Sequence, residues 1–285
     1  MKYLQERARF VIARPLARTA QSVLYLAYDH LTDQPVVIKV LAPTRRGLHW
    51  PEAVRAFLHE IKMVLALQDI RGSDDGWPYF PRYITHGRSV KGYYYYVQSY
   101  IPGQTLAEIL AAGRPSDAIT IAYELCRTVR ILHAHRIVHG DLHPQNIIVR
   151  RDGAVVLVDF GLSRYFYEQV PYLRDMGRPL FTPPEQIVGR PLDERSDLFA
   201  LGLILAELLE VETLPPTTQR LIMHMQRPLI DERNVQLDDL IAELVMVEHL
   251  QQVQAAYRTL SCWLMVLVIV STLIIALFYL AFFLY

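Results

Sequence analysis

Apolar and polar residues alternate through FVIAR, SVLYLAYD and PVVIKVL, between residues 10 and 41. Residues two apart share one face of a strand, so the pattern predicts three strands, with the polar DHLTDQ as a hairpin connection between the last two. The period then changes. Over residues 51 to 68, Val54, Phe57, Leu58, Ile61, Val64 and Leu65 recur at helical spacing, and Pro51 suits a first helical turn. YITHGRSVKGYYYYVQSYI returns to strand character as a second hairpin, turning at Lys91-Gly92. From PGQTLAEIL onward the spacing is helical, most clearly over 116 to 135, where Ser116 or Asp117 is placed to cap. NIIV and AVVLVDF flank the turn RRDG as a small hairpin, and further helices are predicted at 196 to 210, 216 to 226 and, amphipathic, near 236 to 256. The expected class is α+β, with a β-rich lobe over 1–100 and a helical lobe over 101–250.

Composition alters this picture at one end. No charged residue occurs from Thr259 to Tyr285, and CWLMVLVIVSTLIIALFYLAFFLY exceeds the roughly 20 apolar residues that cross a hydrocarbon core. A single transmembrane helix is therefore predicted over 262–285, after a juxtamembrane segment at 251–261. Arg258 precedes the span and no basic residue follows it, which places the N-terminal side in the cytoplasm. With the span last, no extracellular sensor domain is expected, and MKYLQERARF lacks the apolar region of a secretory signal. Of the 285 residues 52% are apolar, enough for a sizeable core. Lys+Arg and Asp+Glu balance at 29 each, so no nucleic-acid partner is expected. Cys126 and Cys262 are the only cysteines and lie in different kinds of segment, which argues against a disulfide framework or a cysteine metal site.

The chemistry concentrates in HGDLHPQNIIV, residues 139 to 149. Two His, one Asp and one Asn in eight residues fit a metal cluster, a phosphoryl-transfer loop or a polar turn. His139 and His143, four apart, suit zinc only on a continuous helix, and Gly140 with Pro144 favours a turn. Phosphoryl transfer requires a cation on the phosphates, an acid to hold it, an acceptor for the hydroxyl proton and oxygen ligands for magnesium. VVIKV carries Lys39, the next helix carries Glu60, HGDLHPQN carries Asp141 and Asn146, and DFG supplies Asp159 at a strand end.

With these elements in this order, residues 10 to 250 resemble a eukaryotic-type serine/threonine protein kinase. The resemblance implies the bilobal kinase fold, ATP and Mg²⁺ as cofactors, and a protein substrate. Lys39 resembles the lysine on the α and β phosphates, with Glu60 as its partner; Asp141 resembles the proton acceptor, and Asn146 and Asp159 the metal ligands. Glu185 in TPPE, Asp197 in SDLFALG and Arg233 resemble the glutamate closing the activation segment, the brace of the catalytic loop and that glutamate's arginine. The resemblance further implies Gln98 at the gatekeeper position, the Ser99 carbonyl and Ile101 N–H facing adenine, Ile148 on its floor, and His139 packed inward as a structural residue.

The chain departs from the family pattern in places. The three glycines over the phosphates are replaced by Ala17, Thr19 and Ser22, before Leu24, which predicts a weaker ATP grip. Val37 stands where a small Ala is usual above adenine, Gly140 where many protein kinases have Arg, and His143 where the catalytic-loop lysine lies. Between Asp159 and Glu185 the only hydroxyls besides tyrosines are Ser163 and Thr182, so switching by phosphorylation there is not expected. The helix and loop that usually follow the Asp197 helix are missing, which reduces a peptide platform. Two other readings follow: a nucleotide-binding scaffold without turnover, and a small-molecule kinase, because HGDLHP is also similar to aminoglycoside-phosphotransferase-like loops. Arg178 in GRPLFTPPE is the candidate for the displaced cation. An Arg178→Ala variant is then expected to lose turnover in a phosphoryl-transfer assay, and full retained turnover removes Arg178 from this role.

Overall fold

The computed structural model describes residues 9–19, 21–42, 50–70, 79–170 and 180–284. The predicted strands form one antiparallel sheet in the order β1-β2-β3-β5-β4, built from β1 (Phe10–Arg18), β2 (Ser22–Asp29), β3 (Gln34–Leu41), β4 (Tyr83–Arg88) and β5 (Tyr94–Ser99). Gly92, at φ 80°, donates to the Ser89 carbonyl at 2.7 Å in the second hairpin turn, where the sequence places it. Alternation gives the sheet two apolar faces. Tyr25, Ala27, Val36, Ile38 and Val97 pack with Phe10 on one side. Leu41 and Tyr96 join the main core on the other, where α1 (Trp50–Ala66) lays down Phe57, Ile61 and Val64.

Register aligns the cleft side of this sheet. Leu24 pairs with Ala17 on one flank and Lys39 on the other, and Lys39 pairs with Tyr96. One step along, Val37 stands between Leu26 and Gln98. Opposed residues of an antiparallel pair share a face, and so do residues two apart, so Ala17, Leu24, Val37, Lys39 and Gln98 line one surface.

The second lobe begins with β6 (Gln104–Thr105) and α2 (Leu106–Ala112), whose first turn is closed by a capping box between Thr105 and Glu108. At its centre lies α3 (Ala118–Ala134), whose Leu125, Cys126, Val129 and Leu132 are fully buried. Asp117 occupies the N-cap position of α3 but makes no cap bond through its side chain; its φ of −100° and ψ of 25° are not the extended geometry that aims a side chain at the first turn. Next come β7 (Ile137–Val138), β8 (Ile147–Val149), β9 (Val155–Leu157) and β10 (Arg164–Tyr165); β6, β8 and β9 form one small sheet, β7 and β10 another.

Four helices complete the lobe: α4 (Pro184–Ile187), α5 (Glu194–Leu208), α6 (Pro216–Met225) and α7 (Leu237–Leu284). Residues 209 to 215 alone join α5 to α6, in line with the shortened lobe expected. Gly202 lets these two helices approach: a Cβ there would lie 2.7 Å from the Met225 Cβ. The amphipathic helix near 236–256, the segment 251–261 and the apolar run 262–285 were expected as separate elements, but α7 runs through all three. Neither Gly nor Pro lies between Leu237 and Leu284, so nothing local stops the helix.

Arg233 ties the lobe's end to α4. It is fully buried, donates to both Glu185 carboxylate oxygens at 2.7 and 2.9 Å, and donates to the carbonyls of Arg227, Pro228 and Arg195. Removing the carboxylate leaves a buried cation short of its counter-charge. A Glu185→Ala variant is expected to lose about 3–5 kcal/mol, read as a lower denaturation midpoint in urea, and an unchanged midpoint would contradict this account.

Candidate active site

Three elements converge on one ammonium. β3 points Lys39 at the cleft, where its Nζ lies 2.5 Å from Glu60 Oε1 on α1 and 2.7 Å from Asp159 Oδ1, two residues beyond β9. Tyr96, the register partner of Lys39, donates its hydroxyl proton to the same Glu60 oxygen at 2.7 Å. Burial opposes the Lys39 charge, but the charges and hydrogen bonds of Asp159 and Glu60 outweigh it and raise the pKa. Burial also pushes Glu60 up, with Lys39 offsetting only part. At Asp159 burial acts the same way, yet Lys39 holds the carboxyl below its ordinary value. Its side chain is 32% exposed against 5% for Glu60, so Asp159 is the carboxylate a ligand can reach. Asp159 adopts φ 65°, a left-handed geometry unfavourable for a residue with a side chain.

The loop after β7 is held from behind. Asp197 on α5 accepts the backbone N–H groups of His139 and Gly140 at 2.8 and 3.0 Å, and His133 Nε2 lies 2.9 Å from it. Burial works against the Asp197 charge, but the His133 hydrogen bond and charge keep its pKa low. His139 is fully buried, its pKa lowered by burial. Neutral, it accepts from the Asp141 N–H through Nδ1 at 3.3 Å and turns Nε2 toward the Val158 carbonyl at 3.3 Å, with its ring 5.0 Å from Phe160. Its inward packing is as expected. No cluster of three or more His, Cys, Asp or Glu able to hold a metal occurs among the described residues.

Asn146 spans the loop, its amide nitrogen donating to the Asp141 carbonyl at 3.0 Å while its own carbonyl accepts from Val158. Its amide oxygen and the second Asp159 oxygen are hard donors of the kind Mg²⁺ takes, so the donor set fits that ion. His143 accepts the Gln145 N–H at Nδ1, which puts the ring proton on Nε2, 3.6 Å from Asp141 Oδ2.

The remaining predicted residues, Arg178 apart, fall into three groups. Ala17, Leu24, Val37 and Gln98 share the Lys39 face, and Ile148 sits half-buried on β8. Ser99 Oγ accepts from the Arg82 N–H at 2.9 Å, whereas no described backbone carbonyl takes the Ile101 N–H. Thr19 and Ser22 are turned on each other: their hydroxyls lie 3.0 Å apart, and the Thr19 and Ser22 N–H groups are both bonded within the turn. This hydroxyl staple takes up amides that a glycine loop would offer to phosphate. Arg178 lies outside the described residues.

Several members were not foreseen. Tyr96 was hidden in YYYY, although period-two alternation from β5 puts it on the Lys39 face. His59 Nε2 reaches the Ser163 carbonyl at 2.8 Å, the Ser163 hydroxyl donates to the His139 carbonyl at 2.8 Å, and Gln186 donates to the Gly140 carbonyl at 3.0 Å. Ser163 is fully buried.

A family model described as protein kinase domain matches residues 11–265. The chain belongs to the protein kinase domain family. It is 27% identical over 214 residues to serine/threonine-protein kinase PrkC of Bacillus subtilis, covering 70% of this chain and 30% of that protein. It is 34% identical over 123 residues to serine/threonine-protein kinase pak-2 of Caenorhabditis elegans, and 33% over 129 residues to serine/threonine-protein kinase PknB of Mycolicibacterium smegmatis. Those two matches cover 42% and 43% of this chain but 23% and 20% of the relatives. The chain thus spans under a third of the length of each of these relatives.

Gly140 explains one departure from the family pattern. It adopts φ 74°, and a Cβ there would lie 2.7 Å from the Leu162 carbonyl oxygen, itself held by Arg164 Nε and Nη2 at 3.2 and 3.1 Å. This backbone has no room for the usual arginine. Gly140→Ala is expected to cost about 1–3 kcal/mol in backbone strain and to lower turnover with it, checked by thermal melts alongside phosphoryl-transfer rates; a variant of undiminished stability would refute the steric argument.

Proposed function

We propose that the chain is an ATP-dependent serine/threonine protein kinase anchored to a membrane by its C-terminal helix. The observation that carries this reading is the Lys39 ammonium drawn between Glu60 and Asp159, beside a loop that holds Asp141 and Asn146. In this reading Lys39 neutralises the α and β phosphates and Glu60 positions it. Asp159 and Asn146 hold Mg²⁺, which supplies charge neutralisation on the transferred phosphates when bound. Asp141 accepts the substrate hydroxyl proton, and His143 orients that carboxylate. Ala17, Leu24, Val37, Gln98 and Ile148 enclose adenine, with the Ser99 carbonyl and the Ile101 N–H as its polar contacts. Thr19 and Ser22 shape the roof rather than grip phosphate.

The β-rich lobe over 1–100 and the helical lobe over 101–250 then form the cytoplasmic kinase, with the span over 262–285. Among the described residues, one helix is long and apolar enough to cross a membrane. Arg258 before it supports the cytoplasmic placement. The serine/threonine preference is carried over from relatives named as serine/threonine kinases. A second reading, a nucleotide-binding scaffold, draws support from the internally bonded Thr19–Ser22 turn.

The discriminating experiment is Mg²⁺-dependent ATP turnover by the full chain in lipid nanodiscs, with phosphate followed onto protein, peptide and small-molecule acceptors. Asp141→Asn and Asp159→Asn are each expected to reduce transfer about 100-fold or more. Nucleotide-dependent thermal stabilisation without turnover favours the scaffold, and phosphate appearing only on small molecules overturns the protein-kinase reading.

A further inference from the structure

The helix α7 leaves the kinase body at a definite point. Val247 is buried and Glu248 accepts a hydrogen bond from Thr120 on α3 at 2.8 Å, but from His249 to Ile275 every side chain is exposed. Before the apolar run, the exposed large apolar residues from Met246 onward are Met246, Leu250, Val253, Tyr257 and Leu260. Their steps are four, three, four and three, and the same alternation continues through Leu264 and Leu267. Between them stand Gln251, Gln252, Gln254, Ala255, Ala256, Arg258 and Thr259.

Such steps average 3.5 residues, whereas a straight α-helix turns every 3.6, so the stripe winds slowly around the helix. Only a partner helix supercoiling with it stays in contact along the whole length. Lipid does not account for the stripe's beginning. Leu250 lies 12 residues before Cys262, about 18 Å along the axis at 1.5 Å per residue, which is beyond the headgroup layer. Nor does the kinase body account for it beyond Glu248, where α7 departs.

We infer that α7 is one strand of a parallel, two-stranded coiled coil with a second copy of this chain. The seam runs through Met246, Leu250, Val253, Tyr257, Leu260, Leu264 and Leu267. The charges admit a like partner: in this heptad frame Glu248 and Arg258 point away from the seam, and its flanks carry His249, Gln254, Ala256 and Ser261, so two identical helices in register set no like charges against each other. Parallel orientation rests on the proposed membrane span, which fixes both helices the same way up; the seam itself does not depend on the membrane.

The test is a cysteine scan of the full chain in native membranes, from residue 249 to 260 in a Cys262→Ser background, with mild oxidation. Disulfide-linked dimers are expected to peak at 250, 253, 257 and 260 and to be weak at 251, 255 and 259. An even distribution, no cross-linking at any position, or adducts whose mass differs from two copies of the chain would overturn the inference. The double variant Leu250→Glu with Val253→Glu is expected to abolish cross-linking through a Cys at 257, while Gln251→Glu with Gln252→Glu preserves it. Carbonate extraction reports separately on the span: a chain released into the supernatant overturns the membrane reading, and the cross-linking pattern in that supernatant still decides the seam.

Discussion

The ammonium of Lys39 is the point at which the sheet, the helix packed on it and the far lobe must agree. It is a buried charge, and burial of a lone cation is prohibitive, so its position is tenable only where carboxylates reach it. Glu60 comes from the helix packed on the sheet and Asp159 from the far lobe. Each brings its own desolvation cost, and each is tolerable because Lys39 is there. The result is a contact that exists only when α1, β3 and the segment after β9 are all in place. Tyr96 extends the cluster by donating to Glu60, the carboxylate that burial makes the more basic of the two. Asp159 stays anionic and partly exposed, which fits it for a ligand rather than for a purely structural pair.

The same logic recurs deeper in the helical lobe. Asp197 is buried and would be untenable alone, yet two backbone N–H groups and His133 surround it. Its reward is rigidity: the loop after β7 is held through its own main-chain N–H groups on one carboxylate, whatever side chains the loop itself carries. Arg233 and Glu185 hold the region after the loop in the same manner. Buried charge here specifies geometry, whereas apolar packing through α3 and α5 supplies the bulk of the cohesion.

Gly140 and His143, the two unusual residues of the loop, have different causes. Gly140 is a steric consequence, since a left-handed backbone beside a pinned carbonyl leaves no space for any side chain. His143 turns its Nε2 toward Asp141 at 3.6 Å, so an imidazole stands in the loop where the resemblance places a lysine. The segment beyond is held by Ser163, Gln186 and Arg164 through hydrogen bonds to main-chain carbonyls.

Much of the fold was legible in the chain itself because its signals are local. Alternation in SVLYLAYD and PVVIKVL sets strands and puts Lys39 on a known face, helical spacing sets α1 and α3, and an uncharged C-terminal run sets an apolar helix. The resemblance carried by Lys39, Glu60, Asp141, Asn146 and Asp159 lay in their order and spacing. What a linear reading could not reach depends on contacts between distant segments. Which hydroxyl meets Glu60 and why Gly140 excludes a side chain are both decided by segments that meet only on folding, whereas Thr19 and Ser22 bond each other within one local turn. The continuity of α7 through 251–261 is of the local kind: that stretch holds no residue able to stop a helix, so continuity was written in the sequence, and where α7 parts from the body only packing decided.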